Sequence, residues 1–308
     1  MVDIQNSKVF TLIVLFTGFL TGCGSTPLND DYIRHVNNIG PSFFSTSHFA
    51  IKLQESDNVD IRGVYVTNDT VEASTIMYQG GAGIAGMIAQ IGTHSTLIQS
   101  QRNDKLAKAQ EQANQAIAPI IEASKTLRLT ELLDPGNANF ISTDTRNPQQ
   151  VLHIKPIFFS NPQMNKVYVK ALIWIPTDAV NKHVRKRAKN QYQNMVQVYS
   201  KPFTEAETEL LVAGDSELLK EKLSSLLNQV ISIAQSELTG QYQAASKVEK
   251  TFVINLNDKR LVLRGAIVDQ SCSMSIIQDI RHWLIAVPHQ DIGLVKEKLS
   301  NDCSLALN

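Results

Sequence analysis

Three cysteines, seven histidines, a glycine-rich run and a basic octapeptide hold most of the residues in this 308-residue chain that could do chemistry at short spacing. A thiol can act as a nucleophile, a metal ligand or half of a disulfide. Zinc needs spacings such as Cys-x-x-Cys or His-x-x-x-His. Cys23, Cys272 and Cys303 do not make them, and neither do His35, His48, His94, His153, His183, His282 and His289. The chain also lacks a G-x-S-x-G elbow and a Walker loop. No metal, cofactor or motif-borne catalytic residue is expected. An enzyme would have to assemble its acid and base from distant positions.

Gly81-Ala82-Gly83-Ile84-Ala85-Gly86 has the G-x-G-x-x-G spacing that lets backbone amides approach a pyrophosphate. A dinucleotide unit also needs a second apolar strand ending in an acid about twenty residues on. Residues 93–105 are instead polar and helical in pattern, which argues against a nucleotide site. The same small residues recur every four positions, at Gly81, Ala85 and Ala89, and such ridges let backbones pack closely. The segment from Gly80 to Gly92 is too short to span a bilayer. It reads either as a tightly packed buried helix or as a surface for self-association or membrane contact.

Lys182, Arg185, Lys186, Arg187 and Lys189 place five bases within eight residues. The whole chain is neutral, with 29 basic and 29 acidic residues, so this local excess stands out. Neutrality argues against a general nucleic-acid binder. The run reads as a solvated connection or as a contact for an anionic envelope surface or an acidic partner.

Cys23 has the most informative surroundings. Lys8 precedes the apolar block Val9–Leu20, and Leu20-Thr21-Gly22-Cys23 follows directly. A basic start, about a dozen apolar residues and small residues at the cut fit a secretory signal rather than a span of about twenty. The tetrapeptide resembles the bacterial lipoprotein lipobox. That resemblance implies a diacylglycerol thioether on Cys23, cleavage just before it, and further acylation of the new amine with a fatty acid such as palmitate. Two or three acyl chains give an essentially permanent anchor. Gly24 stands where an aspartate would favour inner-membrane retention, so the resemblance implies the periplasmic face of the outer membrane. Removing residues 1–22 takes away one acid, Asp3, and one base, Lys8, and leaves the balance unchanged.

With Cys23 committed to lipid, Cys272 and Cys303 can form one disulfide in an oxidising compartment. Closing a loop of about 32 residues would stabilise the fold by roughly 3.7 kcal/mol in the chain-entropy model. Two buried free thiols are the competing reading.

The elements that position these groups are legible from periodicity. Residues 23–47, rich in Ser, Asn, Asp, Pro and Gly, read as a lipidated start and a flexible tether. Alternation at Phe49, Ile51 and Leu53, then at Val64 and Val66, predicts strands, with a hairpin through Asn68-Asp69. Leu106, Ala109, Ala113, Ala116, Ile117 and Ile120 mark one helix face within residues 103–133. Pro119 should kink or restart that helix, and Asp134-Pro135-Gly136-Asn137 should end it. Strands are predicted over 151–159, 166–175 and 192–200. In the first of them Leu152, Ile154 and Phe158 face the core, and His153 and Lys155 face water.

Thr204 and Glu207 form a capping-box signature for a short helix stopped by Gly214. Asp215 caps a longer helix to about Leu238, with Leu219, Leu223, Leu226, Val230 and Ile233 as its buried stripe. Strands over 251–256, 260–268 and 283–287 and a final helical piece over 292–299 complete the chain. The predicted architecture is α+β, a largely antiparallel sheet with helices on one side. Residues 48–240 would form the main domain, and 241–308 a β-rich unit packed on it.

The order of the Gly80–Gly92 segment, Ala116-Ile117-Ala118-Pro119, Ala171-Leu172-Ile173-Trp174-Ile175, Tyr192-Gln193-Asn194 and Tyr199-Ser200 resembles a group of uncharacterised proteobacterial lipoproteins. The alternation of strands and helices over residues 49–238 is similar to the small α+β domain of periplasmic accessory lipoproteins of secretion and cell-wall systems. These resemblances imply a non-enzymatic accessory or assembly factor that meets the membrane through its lipid and binds an envelope protein partner. The alternative is an envelope hydrolase acting on peptidoglycan or lipid.

Overall fold

The computed structural model describes residues 35–39, 50–53, 56–64, 98–138, 151–177, 190–243, 248–256, 259–271 and 273–294. In chain order these form β1 Val36–Asn37, β2 Ala50–Leu53, β3 Ile61–Gly63, α1 Ile98–Ala116, α2 Ala118–Ser124, α3 Pro135–Ala138, β4 Val151–Ser160, β5 Val167–Pro176 and β6 Asn190–Tyr199. There follow α4 Glu205–Val212, α5 Ser216–Leu238, β7 Lys250–Leu256, β8 Lys259–Gln270, β9 Met274–Asp279, β10 Leu284–Pro288 and β11 Ile292–Leu294. The fold is α+β, as the sequence pattern predicts.

One mixed sheet carries the eleven strands in the order β11-β7-β8-β9-β10-β6-β5-β4-β2, with β1 beside β6 and β3 beside β4. Its centre is the antiparallel run β4-β5-β6. The β4–β5 turn is fixed by Asn161, whose side-chain oxygen accepts from the backbone amides of Asn165 and Lys166, each at 3.1 Å. The strands β2 and β3 both lie parallel to β4, one after the other along the same edge.

The helices cover one face. Leu152, Ile154 and Phe158 of β4, Val169 and Ile173 of β5, and Val196 and Val198 of β6 form a core with Ile117, Ile120 and the α5 stripe. All five residues expected in that stripe are buried. The capping box closes α4 as the sequence indicates: Glu207 N–H donates to Thr204 Oγ1 at 3.3 Å, and Thr204 N–H donates to Glu207 Oε2 at 2.8 Å. Gly214 ends α4 with φ +83°, a conformation that favours glycine. Asp215 Oδ1 then accepts from Leu218 N–H at 2.9 Å to start α5.

The predicted helix over 103–133 is broken at Ile117, two residues before Pro119. Ala113, Ile117 and Ile120 are buried, but Ala116 at the break is exposed. The side chain of Leu106 lies outside the described set. Beyond α2 the chain makes a 3-10 turn over Leu129–Leu132, and Pro135–Ala138 is the short helix α3 rather than a bare turn. Asn228 of α5 holds this corner, accepting from Asp134 N–H at 3.0 Å and donating to the Leu132 carbonyl at 2.8 Å.

The C-terminal strands roll up. Only three residues, His289–Asp291, separate Pro288 at the end of β10 from Ile292 at the start of β11, four Cα steps along the chain, yet the two strands lie four steps apart in the sheet. A flat sheet would need about 19 Å for the four strand steps, against a reach of about 14 Å for four Cα steps. Strands β7 to β11 therefore curl, and Phe252, Ile254, Leu261, Leu263, Ile277, Ile285, Val287 and Ile292 fill the inside together with Tyr199 of β6. A buried ion pair between Lys166 Nζ and Asp291 Oδ2, 2.5 Å long, ties the roll to the start of β5.

Three expectations change. Residues 292–294 form the strand β11 and not the start of a helix, because Ile292 and Leu294 pair along the open edge of β7. The strand β9, for which the sequence pattern gives no prediction, joins β8 to β10. Part of the expected tether is built into the sheet. Val36 and Asn37 pair with Gln193 and Tyr192 of β6, and Asn38 N–H donates to Gln191 O at 2.9 Å, satisfying backbone groups that β10 leaves open. The wet face predicted for β4 is half right. His153 and Lys155 are half-buried, whereas Ile157 and Phe159 further along the same face are buried.

Candidate functional site

The densest polar cluster in the described interior lies where β1, β6, α5 and the β9–β10 turn meet. Glu237 continues the apolar stripe of α5 one step beyond Ile233, so the helix drives a carboxylate into the core. Tyr192 and Asn194 alternate on the inward face of β6 and meet it there. The Tyr192 hydroxyl donates to Glu237 Oε2. The Asn194 amide donates to both Glu237 oxygens, at 2.8 and 3.0 Å, and to the His282 carbonyl at 3.0 Å. The His282 ring lies tilted by 30° against His35 with ring centroids 5.0 Å apart, and His35 meets Tyr192 edge-on at 6.4 Å.

Burial, and then the charge of Glu237, pushes the Tyr192 hydroxyl well above the usual phenol range. Tyr192 is thus a fixed donor. Both oxygens of Glu237 accept hydrogen bonds, which suits the carboxylate to ordering its neighbours. The junction joins the first described strand to the last described α-helix and to the roll.

Asp279 holds the adjoining turn. Its Oδ1 accepts from Arg281 N–H at 2.9 Å and Trp283 N–H at 2.8 Å, while His282 takes φ +66°. Its Oδ2 is enclosed and has no hydrogen-bond partner among the described residues. Burial pushes the carboxyl up to about 6, against the pull of the two amides and of Arg281. The folded state therefore holds a proton that the unfolded chain releases near the ordinary carboxylate value, and stability should fall as pH rises from about 4 to 6. Asp279→Asn keeps an acceptor for the turn and removes the charge. Denaturant midpoints measured across that window should show a flatter profile for the variant, by up to about 1.4 kcal/mol per pH unit. Parallel profiles would refute the assignment.

Lys170 places an amine in the described interior. It points into the face away from the helices, where Gln197 stands opposite it on β6. Its Nζ lies 5.9 Å from the ring centroids of both Phe159 and Tyr168. These rings stack across β4, β5 and β6 in the row Phe159, Tyr168 and Tyr199, at 5.0 and 4.9 Å. Burial lowers the lysine to about 7, so near neutral pH much of it is unprotonated, the form that attacks carbonyls or takes up protons. Its side chain is enclosed, with 4% exposure.

An open pocket of about 440 Å³ lies at the far end of β6, lined by Lys201, Phe203, Lys222, Ser225, Gln229 and Ser273 among others. Lys222 pairs with Glu207 at 2.7 Å and Glu221 at 3.1 Å and sits over the Phe203 ring. The pocket is lined about equally by polar and apolar surface, and its bases are partly matched by acids.

Cys23, Cys272, Cys303, Lys182, Arg185, Lys186, Arg187 and Lys189, together with the Gly80–Gly92 segment, lie outside the described residues. The Glu237 junction was not read from the sequence, because its members are separated by 43, 45 and 88 positions. A signal was present in the four-residue step from Ile233 to Glu237. Among the described residues no group of His, Cys, Asp and Glu could hold a metal ion, and no helix is long and apolar enough to cross a membrane. No family model, curated protein or solved structure matches the chain.

Proposed function

We propose that this chain is an outer-membrane lipoprotein, anchored through Cys23 with its folded unit in the periplasm, and that it works without catalysis as an accessory or assembly factor of the cell envelope. The observation that carries the reading is Leu20-Thr21-Gly22-Cys23 placed directly after a signal-length apolar block. The position of β1 supports it. Val36 is thirteen residues past Cys23, so the sheet begins within about 45 Å of the lipid even at full extension. The use of Glu237 and Asp279 as structural acceptors fits a scaffold that presents surfaces to other proteins.

Mass spectrometry of the mature N-terminus should find Cys23 as the first residue, carrying a diacylglycerol thioether and an amide-linked acyl chain. The Cys23→Ser variant should leave the membrane fraction in high salt. An unmodified N-terminus would overturn the anchor. Mild crosslinking in the native host should trap the chain with an envelope protein. A solitary protein that hydrolyses peptidoglycan or lipid would overturn the accessory role.

A further inference from the structure

The sheet face turned away from the helices has an open end, and a cross-strand row runs along it. Val36 of β1 pairs with Gln193, Gln193 with Trp174, Trp174 with His153, and His153 with Lys52 of β2. The imidazole of His153 stacks on the Trp174 indole, with centroids 5.1 Å apart and planes 23° from parallel. Lys155 stands two residues along the same face of β4. Arg62 of β3 lies further on, gripped by Asp60 at 2.6 and 2.8 Å. Lys52, Arg62, His153, Lys155 and Trp174 are half-buried. Lys52, His153 and Lys155 thus line one end of this face with Trp174, and Arg62, opposite Phe159, lies about 20 Å further along β4 and is engaged with Asp60.

Burial and neighbouring charges act on both bases of β4. Protonation of His153 is disfavoured first by burial and then by Lys52. Protonation of Lys155 is disfavoured by burial, with Asp60 and Arg62 pulling in opposite directions.

We propose that this row, centred on Lys52, His153, Lys155 and Trp174, is a membrane-docking surface that rests on the phosphate headgroups of an anionic lipid leaflet. The choice of membrane as occupant depends on the lipid anchor at Cys23. The strand that leads from that anchor enters the fold in this same row, through Val36, so the tethered end of the molecule and the basic face coincide. The chain also leaves the sheet at Pro176, two residues past Trp174, into the connection that contains Lys182, Arg185, Lys186, Arg187 and Lys189, and returns at Asn190. Lysine heads reach phosphate as mobile point charges, and an indole suits the headgroup layer because it is apolar with one polar edge.

Tryptophan emission can read the contact directly. The chain has two tryptophans, and Trp283 is buried in the core with 1% exposure, so a lipid-induced change reports Trp174. The mature chain with Cys23→Ser, which lacks the acyl anchor, is mixed with phosphatidylcholine vesicles with and without phosphatidylglycerol. Binding is expected on the anionic vesicles at low salt, with a blue shift that Trp174→Phe abolishes. The Lys52→Gln/Lys155→Gln pair should lower partitioning by roughly 30-fold. Binding that is equal on neutral vesicles, unchanged in the lysine pair, or silent in Trp174 emission would overturn the surface. So would retention by purified peptidoglycan without vesicle binding, which would assign the row to a glycan. Acylation of Cys23 is read separately by mass. An acylated native protein whose Cys23→Ser form ignores vesicles overturns this surface alone, and an unmodified Cys23 overturns the anchor alone.

Discussion

Replacing Glu237 with Ala should destabilise the fold by about 3–5 kcal/mol, seen as a lower denaturant midpoint with an unchanged slope. The substitution strands two donors in the interior, the Tyr192 hydroxyl and the Asn194 amide, and each buried group left unsatisfied costs about 1–3 kcal/mol. It also opens a cavity beneath the last turn of α5. Glu237→Gln is the control, because its carbonyl oxygen can still accept, and it should recover more than half of the loss. The damage should spread along the junction. Hydrogen exchange should speed up in β1 and in the β9–β10 turn, since Asn194 also holds the His282 carbonyl and the His282 ring lies against His35. An Ala variant as stable as the parent would remove the junction from any account of the fold.

The parts that were legible in the sequence are those whose signal is local. Thr204 with Glu207, and Asp215 with Gly214 before it, define both ends of α4 and the start of α5, the two starts through hydrogen bonds that span three residues. The strands β4 to β6 are long, rich in β-branched residues and joined in part by a turn that Asn161 closes by itself. The roll was not legible, because it depends on β11 reaching across to β7, and no local pattern encodes a partner four strands away. Periodicity over Ile292, Leu294 and the residues after them fits a helix as well as a strand, and the open edge of β7 decides between the two. The tether was misread for a related reason. Val36 and Asn37 offer no alternation of their own, and they are ordered by backbone groups that β6 presents. Of the candidate chemistry, the glycine run and the basic octapeptide were conspicuous because they are contiguous. Glu237, Asp279 and Lys170 were not, since a single polar residue inside an apolar stripe or strand is easily passed over as a surface position.

Lys170→Met should act in the opposite direction to the Glu237 substitution and raise stability at pH 7 or below by about 1–4 kcal/mol, since replacing a buried charge with an apolar chain of similar length is often stabilising. The pH dependence gives the sharper test. The amine titrates near 7 in the folded state and at its ordinary value of 10.5 when unfolded. Below 7 both states are protonated, and the whole cost of the buried charge is present. Between about 7 and 10.5 the unfolded chain binds the extra proton, so the parent gains stability as pH rises, by up to about 1.4 kcal/mol per unit. The methionine variant lacks this term, and its advantage should shrink steadily across that window. Denaturant midpoints of the two proteins at closely spaced pH values would reveal it. A variant that is less stable at pH 7, or an advantage that does not change with pH, would show that the ammonium is well accommodated between Phe159 and Tyr168. If the advantage appears and then narrows, the lysine costs the fold stability at neutral pH, and its presence beside Gln197 in the aromatic row calls for a role other than packing.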